Sequence, residues 1–256
     1  MNTIPGFWDV GPHAPFPVED TWQKFVRHIG GTVVEDVLPN PRKFENADFY
    51  FPDTQIIAEL KEIQTEFSES QSFVTGFGEL MERVVRDDPA WRPALFGGDG
   101  RFPPWFRSEF IRLFRPPISR VLKKANRQIR DTKEFFGIRA SKGVLLFVND
   151  GFQSLGPEPI QALASSLLAD SYSSIDCFIY LTANSYVSVP GDSTPRLVWA
   201  PVYRDRAPED LQEQINHLGR SWFDFIETLC GLYTDRVETD DMDAIAGTEA
   251  IRLPKT

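Results

Sequence analysis

Two rhythms of apolar residues divide the chain. Recurrence every three or four positions marks amphipathic helices, whereas alternation or a short unbroken apolar run marks strands. Over residues 117–136, Ile118, Leu122, Ala125, Ile129, Thr132 and Phe136 fall on one stripe and predict a helix. Over 208–232, Leu211, Ile215, Leu218, Trp222, Phe225 and Leu229 predict another. Between them lie GVLLFVND (143–150) and IDCFIYLTAN (175–184), continuous apolar runs of the kind found in strands covered on both faces. The helical segment 157–169 separates these two runs. Strand, helix, strand at this spacing predicts a parallel βαβ unit. Residues 196–203 predict a further strand.

The amino-terminal half reads differently. Residues 1–18 are rich in Pro and Gly and predict an irregular arm. Glu19-Asp20-Thr21 predicts the cap of a short helix over 22–29, stopped by Gly30-Gly31. Segments 32–38, 46–51 and 55–63 predict three strands, with turn chemistry at Pro52-Asp53-Thr54 between the last two. Residues 66–116 break the pattern: two helical stretches flank the loop GGDGRFPP, which predicts a helical insertion. After Thr234 the chain is acidic and predicts a mobile tail. The sum is one α/β domain over 1–233, with a mixed central sheet flanked by helices, and a tail over 234–256.

Composition fits a soluble globular protein, with 41% hydrophobic and 25% charged residues. No run approaches the roughly 18 apolar residues of a membrane span. The first twenty residues lack the basic-then-apolar pattern of a secretory signal, so a cytoplasmic location is expected. Two cysteines, Cys177 and Cys230, and three scattered histidines argue against a disulfide framework and against a zinc site. Net charge is −10, yet between Arg101 and Lys142 twelve Lys or Arg face only Glu109, Asp131 and Glu134. That local excess of basic charge points to an anionic partner.

The hairpin over 46–63 carries the candidate chemistry. A turn centred on Asp53-Thr54 places Asp48 opposite Glu59 and Asn46 opposite Lys61. Alternation then gives one apolar face, Ala47, Phe49 and Phe51 against Ile56, Ala58 and Leu60. The other face gathers Asn46, Asp48 and Tyr50 with Ile57, Glu59 and Lys61. Opposed side chains on a hairpin have Cβ atoms roughly 4.5–5.5 Å apart. Two carboxylates that close repel unless cations intervene. Lys61 supplies one positive charge, and a bound Mg²⁺ or Mn²⁺ would supply more.

Asp48, then Glu59-Leu60-Lys61 preceded by apolar Ile56-Ile57-Ala58, resembles the PD-(D/E)xK nuclease superfamily, the restriction-endonuclease-like fold. The order of elements is similar too: helix, three antiparallel strands, helix, then a βαβ unit. The likeness spans roughly residues 20–65 and 117–184. It implies a three-layer core and a metal-dependent nuclease, DNA favoured, with Asp48 and Glu59 holding Mg²⁺ or Mn²⁺ and Lys61 assisting the attacking water. It also implies a polar residue on the following helix, which Gln128 or Lys124 would match. Ala47 stands where the family's proline precedes its aspartate, and Pro52-Asp53 falls in the turn. The alternative is a nuclease-like fold without catalysis, serving as a protein- or nucleic-acid-interaction module.

Two further patterns bear on partners. Arg120, Lys123, Lys124, Arg127, Arg130 and Lys133 recur opposite the apolar stripe, either as a solvated helix face or as a phosphate-tracking surface. In the insertion, Phe102, Trp105, Phe106, Phe110 and Phe114 interleave with Arg101, Arg107, Arg112 and Arg115. They form either a local core, an interface between copies of the chain, or a platform for stacking bases.

Overall fold

A computed structural model describes residues 4–9, 13–39, 44–233 and 235–252, with residues 4–9 and 242 described by their backbone alone. In chain order the elements are β1 (Ile4–Asp9), α1 (Val18–His28), β2 (Thr32–Val33), α2 (Val34–Val37), β3 (Phe49–Phe51), β4 (Ile56–Ile63), α3 (Gln71–Asp87), α4 (Pro104–Arg112), α5 (Arg115–Phe135), β5 (Lys142–Asn149), α6 (Pro157–Asp170), β6 (Cys177–Thr182), β7 (Tyr186–Ser188), β8 (Leu197–Tyr203), α7 (Leu211–Cys230), β9 (Asp235–Thr239) and β10 (Glu249–Ile251).

Eight strands form one mixed sheet in the order β2-β3-β4-β5-β6-β8-β1-β9, and β7 with β10 forms a small second sheet. The centre is parallel: β4 pairs with β5, and β5 with β6, as the βαβ reading predicts. The flanks are antiparallel, β2 to β3 to β4 on one side and β6 to β8 on the other.

The unbroken apolar run in β5 has a direct cause. Val144, Leu146 and Val148 enter a core shared with α1 and α7, whereas Leu145 and Phe147 enter a core shared with α5 and α6. A strand covered on both faces favours apolar residues at successive positions, and β5 carries polar residues only at its ends, Lys142 and Asn149. The chain is therefore an α/β protein with helices on both faces of a mixed central sheet. Among the described residues no helix is long and apolar enough to cross a membrane.

Three expectations are corrected. The arm over 1–18 contains β1, which pairs antiparallel with β8 and β9. The acidic tail is also structured: β9 extends the main sheet, β10 pairs with β7, and Ile245 and Ala250 are buried. Both segments draw their stability from partners far away in sequence, which local composition does not register. Finally, the strand expected over 32–38 stops after Val33, and Val34 opens the short helix α2. The Val34 amide donates to the Asp48 carbonyl at 2.8 Å, so this corner is tied to the β3–β4 hairpin.

The insertion is helical, as expected, and has its own small core of Val84, Trp91 and Phe106. Phe73, Phe110 and Phe114 join it to the main body through Phe152. The aromatic ladder is thus packing.

Candidate active site

The hairpin register is the one its alternation predicts: Phe49 pairs with Ala58, Tyr50 with Ile57 and Phe51 with Ile56. Pro52 lacks an amide hydrogen to close a further antiparallel pair. Residues 52–55 form the turn, with Gln55 at φ 56° and its amide nitrogen Nε2 donating to the Pro52 carbonyl at 2.8 Å.

Asp48 sits where the ladder opens. Its backbone amide donates to the Ala58 carbonyl at 3.2 Å, and its side-chain Oδ2 accepts the Leu60 amide at 2.7 Å. Helix α5 holds the segment just before it. The Ala47 amide donates to Thr132 Oγ1 at 2.8 Å, and Gln128 Nε2 donates to the Asn46 carbonyl at 2.9 Å. This bend carries Ala47 into the core beneath α5, away from Phe49 and Phe51, so the apolar face expected to run from Ala47 is shorter by one residue.

Glu59 falls on the face of the hairpin that alternation gives it, and there it is buried. Its side chain is 0% exposed, sealed in the α5 side of the sheet. One oxygen, Oε1, accepts a short hydrogen bond from Lys61 Nζ. The other, Oε2, accepts no N–H or O–H among the described residues, and the Glu59 and Asp48 carboxyls are close enough to share a hydrogen bond when one of them is protonated. The Asp48 carboxyl lies beside it and raises its proton affinity. Two carboxylates are both acceptors, so only a proton or a cation between them satisfies the pair. Burial first, then the negative charge of Asp48, pushes the Glu59 carboxyl up to about 9, and the Lys61 ammonium acts in the opposite sense. Burial also raises Asp48, against the Leu60 amide and Lys61, which favour its ionised form.

Asp48 opens onto a cleft of about 310 Å³ whose lining includes Glu19, Glu35, Glu45, Asn46, Lys124 and Gln128. The sequence pattern groups Asp48, Glu59 and Lys61, and the fold keeps them together. It also places Gln128 and Lys124 on the cleft. Gln128 is buried, and its Oε1 has no partner among the described residues. The sequence pattern marks Glu19 only as part of a helix cap. It stands in the first turn of α1, close enough for its charge to act on Asp48. No local spacing signals it, because α1 reaches the cleft through tertiary packing. Glu45 carries no sequence signal either. It is bound at 2.6 Å by Arg127 of α5, which holds its carboxyl below the usual range.

Among the described residues, no group of three or more Asp, Glu, His or Cys is assembled to hold a metal ion. Asp48 and Glu59 nonetheless fit a partial set. Both are hard oxygen donors, and one buried oxygen accepts no N–H or O–H among the described residues. Mg²⁺ is commonly held by one or two carboxylates, with water and substrate phosphate completing the shell.

The basic face of α5 divides. Arg120, Lys123, Lys124, Arg127 and Arg130 are exposed, whereas Lys133 is buried against the Ser174 carbonyl and Asp176, a correction to its place on the solvated face. Burial lowers the proton affinity of Lys133. Arg127 and Arg130 pair with Glu45 and Asp131. Arg120, Lys123 and Lys124 make no ion pair among the described residues. The two cysteines are free thiols. Comparison with protein-family models, with curated proteins and with solved structures finds no match, so the case for function rests on this geometry.

Proposed function

We propose that the chain is a metal-dependent nuclease with a restriction-endonuclease-like core, acting on a phosphodiester of nucleic acid, DNA in the first instance. One observation carries the reading: a fully buried glutamate with an oxygen that accepts no N–H or O–H among the described residues, beside a second carboxylate and a lysine. A proton shared between Glu59 and Asp48 satisfies the metal-free pair. A metal-holding role replaces that proton with a cation held by both carboxylates.

Asp48 and Glu59 would hold Mg²⁺ or Mn²⁺, with Glu19 near enough to tune the charge of the pair. When bound, the metal supplies Lewis acidity and a more acidic water. Lys61 orients the attacking water and offsets charge developing on the phosphoryl oxygens. Lys124, at the cleft wall, binds and aligns the phosphodiester, and Gln128 holds the Asn46 backbone beside it. Water oxygen bonds to phosphorus, the ester P–O bond breaks, and the leaving oxygen takes a proton. The exposed Arg120 and Lys123 extend the phosphate-binding surface along α5.

A second reading has its own observation. Complete burial of Glu59, and no preassembled group of three ligands among the described residues, also suit a nuclease-like fold kept for binding. Cleavage of labelled duplex DNA, single-stranded DNA and RNA with Mg²⁺ or Mn²⁺ separates the two. The nuclease reading predicts metal-dependent cutting that is lost in both Glu59→Ala and Lys61→Ala. No cutting by the wild type, with oligonucleotide binding retained, selects the binding module.

A further inference from the structure

The main sheet ends in a strand with an open side. Among the described residues β9 pairs with β1 alone, so the amides and carbonyls on its far edge meet no strand. Asp235, Arg236, Val237 and Glu238 are all exposed. At the opposite end of the sheet β2 is only two residues long, a common way of blunting an edge. β9 is five residues long and holds no proline, and the irregularity in its pairing falls in β1, between Ile4 and Gly6.

The charges along β9 form a pattern. Arg236 and Glu238 both turn toward α7, where Arg236 pairs with Asp224 and Glu227, and Glu238 pairs with Arg220. Alternation sends Asp235, Val237 and Thr239 to the other face. A strand that meets its own copy across a two-fold axis pairs antiparallel, and opposed residues share a face. An axis at position 236 sets Arg236 against Arg236, and one at 238 sets Glu238 against Glu238. Like charges directly opposed are unfavourable. An axis at Val237 instead sets Arg236 opposite Glu238 of the second copy, twice over. It also sets Asp235 opposite Thr239, and Val237 against itself.

We propose that β9 is the edge through which two copies of this chain associate, in an antiparallel β9–β9 pair centred on Val237. The charges that discourage other strands select this register. Arg236 and Glu238 stay partly open to solvent in their own ion pairs, so each is accessible across the axis. The proposal is independent of the nuclease reading, because the cleft borders β3, four strands beyond β8 and β1 in the sheet order counted through β4, β5 and β6.

Sedimentation equilibrium of the full chain from about 2 to 200 µM tests it, the range in which a small interface is expected to associate. Dimer mass should dominate at the upper end. Val237→Lys puts like charges on the axis and changes a side chain that is 41% exposed. It should stay monomeric and keep the melting temperature of the dilute wild type. Val237→Cys reads the register. Directly opposed Cα atoms in an antiparallel pair lie about 4.5 or 5.5 Å apart, within disulfide reach, so mild oxidation should yield a covalent dimer. Asp235→Cys should not cross-link, since its two copies fall roughly 13 Å apart along the strands. Wild type, with its own half-buried Cys230, sets the background. A wild type that is monomeric at every concentration overturns the proposal and leaves these charges as guards of an isolated edge. A dimer that Val237→Lys leaves intact overturns it too, as does cross-linking of Asp235→Cys as ready as that of Val237→Cys.

Discussion

The two faces of β4 are buried to a similar depth and are built in opposite ways. Toward α1 and α7 the strand presents Ile56, Ala58 and Leu60, packed with Trp22, Phe25 and Trp222. The Trp22 and Trp222 rings stack at 4.1 Å, and apolar atoms fill the space. Toward α5 the same strand presents Ile57, then Glu59, then Lys61, and buries an acid with one oxygen that accepts no N–H or O–H among the described residues. The first face is apolar apart from the indole nitrogens of Trp22 and Trp199, which are buried without a hydrogen-bond partner among the described residues. The second gives stability up at Glu59, and such strain concentrates at sites of chemistry. The contrast is the strongest argument that this half of the hairpin is kept for something other than folding.

The largest effect that sharpens the contrast is on activity. Glu59→Gln and Asp48→Asn should each reduce metal-dependent cleavage by at least about a thousandfold, the scale of several kcal/mol of lost transition-state stabilisation. Circular dichroism should show the fold unchanged. Stability gives the reverse pattern across the strand. Trp22→Ala, on the apolar face, should cost about 3–5 kcal/mol in chemical denaturation. Glu59→Gln should cost nothing in the metal-free protein at neutral pH.

A smaller effect fixes the sign of the burial penalty. The Glu59 carboxyl rises from its ordinary 4.5 to about 9 in the folded chain, so the folded state keeps a proton that the unfolded chain releases. Below about pH 4.5 both states are protonated and no penalty arises. As pH rises toward 9, stability falls, and above 9 the contribution is constant. Metal-free Glu59→Gln should therefore exceed the wild type in Tm by about 3 °C or more at pH 8 and match it near pH 4. Equal melting at both pH values would break the account of a strained acid.

The smallest effect concerns the cleft edge. Ala at Arg120, Lys123 and Lys124 together should raise KM several-fold. The slope of log affinity against log salt concentration should become shallower by about one for each phosphate that the variant no longer neutralises. Substituting Arg130, already paired with Asp131, should change both much less.

Legibility in the sequence differs by element. The hairpin register is legible because period-two alternation and Pro52 leave one pairing that buries Phe49, Phe51, Ile56 and Leu60 together. The βαβ centre is legible because an unbroken apolar run needs cover on both faces. Complete burial of Glu59 is not legible, since it depends on α5 lying over the strand, and alternation fixes only the face. Glu19 is invisible for the same reason, as is the strand character of β1 and β9, which exists only through pairing between opposite ends of the chain. In the insertion the aromatic and arginine pattern is visible but ambiguous. Packing assigns Phe106, Phe110 and Phe114 to support and leaves Phe102 exposed, along with Leu95 and Phe96 outside the pattern.

Direct titration of Mn²⁺, followed by the paramagnetic resonance of the free ion at pH 8, tests the central claim most closely. The account predicts that the wild type binds the ion and releases protons on binding, and that Asp48→Asn and Glu59→Gln, still folded, lose that binding. A wild type that binds no Mn²⁺, or variants that bind it unchanged, would contradict it and leave Glu59 as a buried acid without a metal.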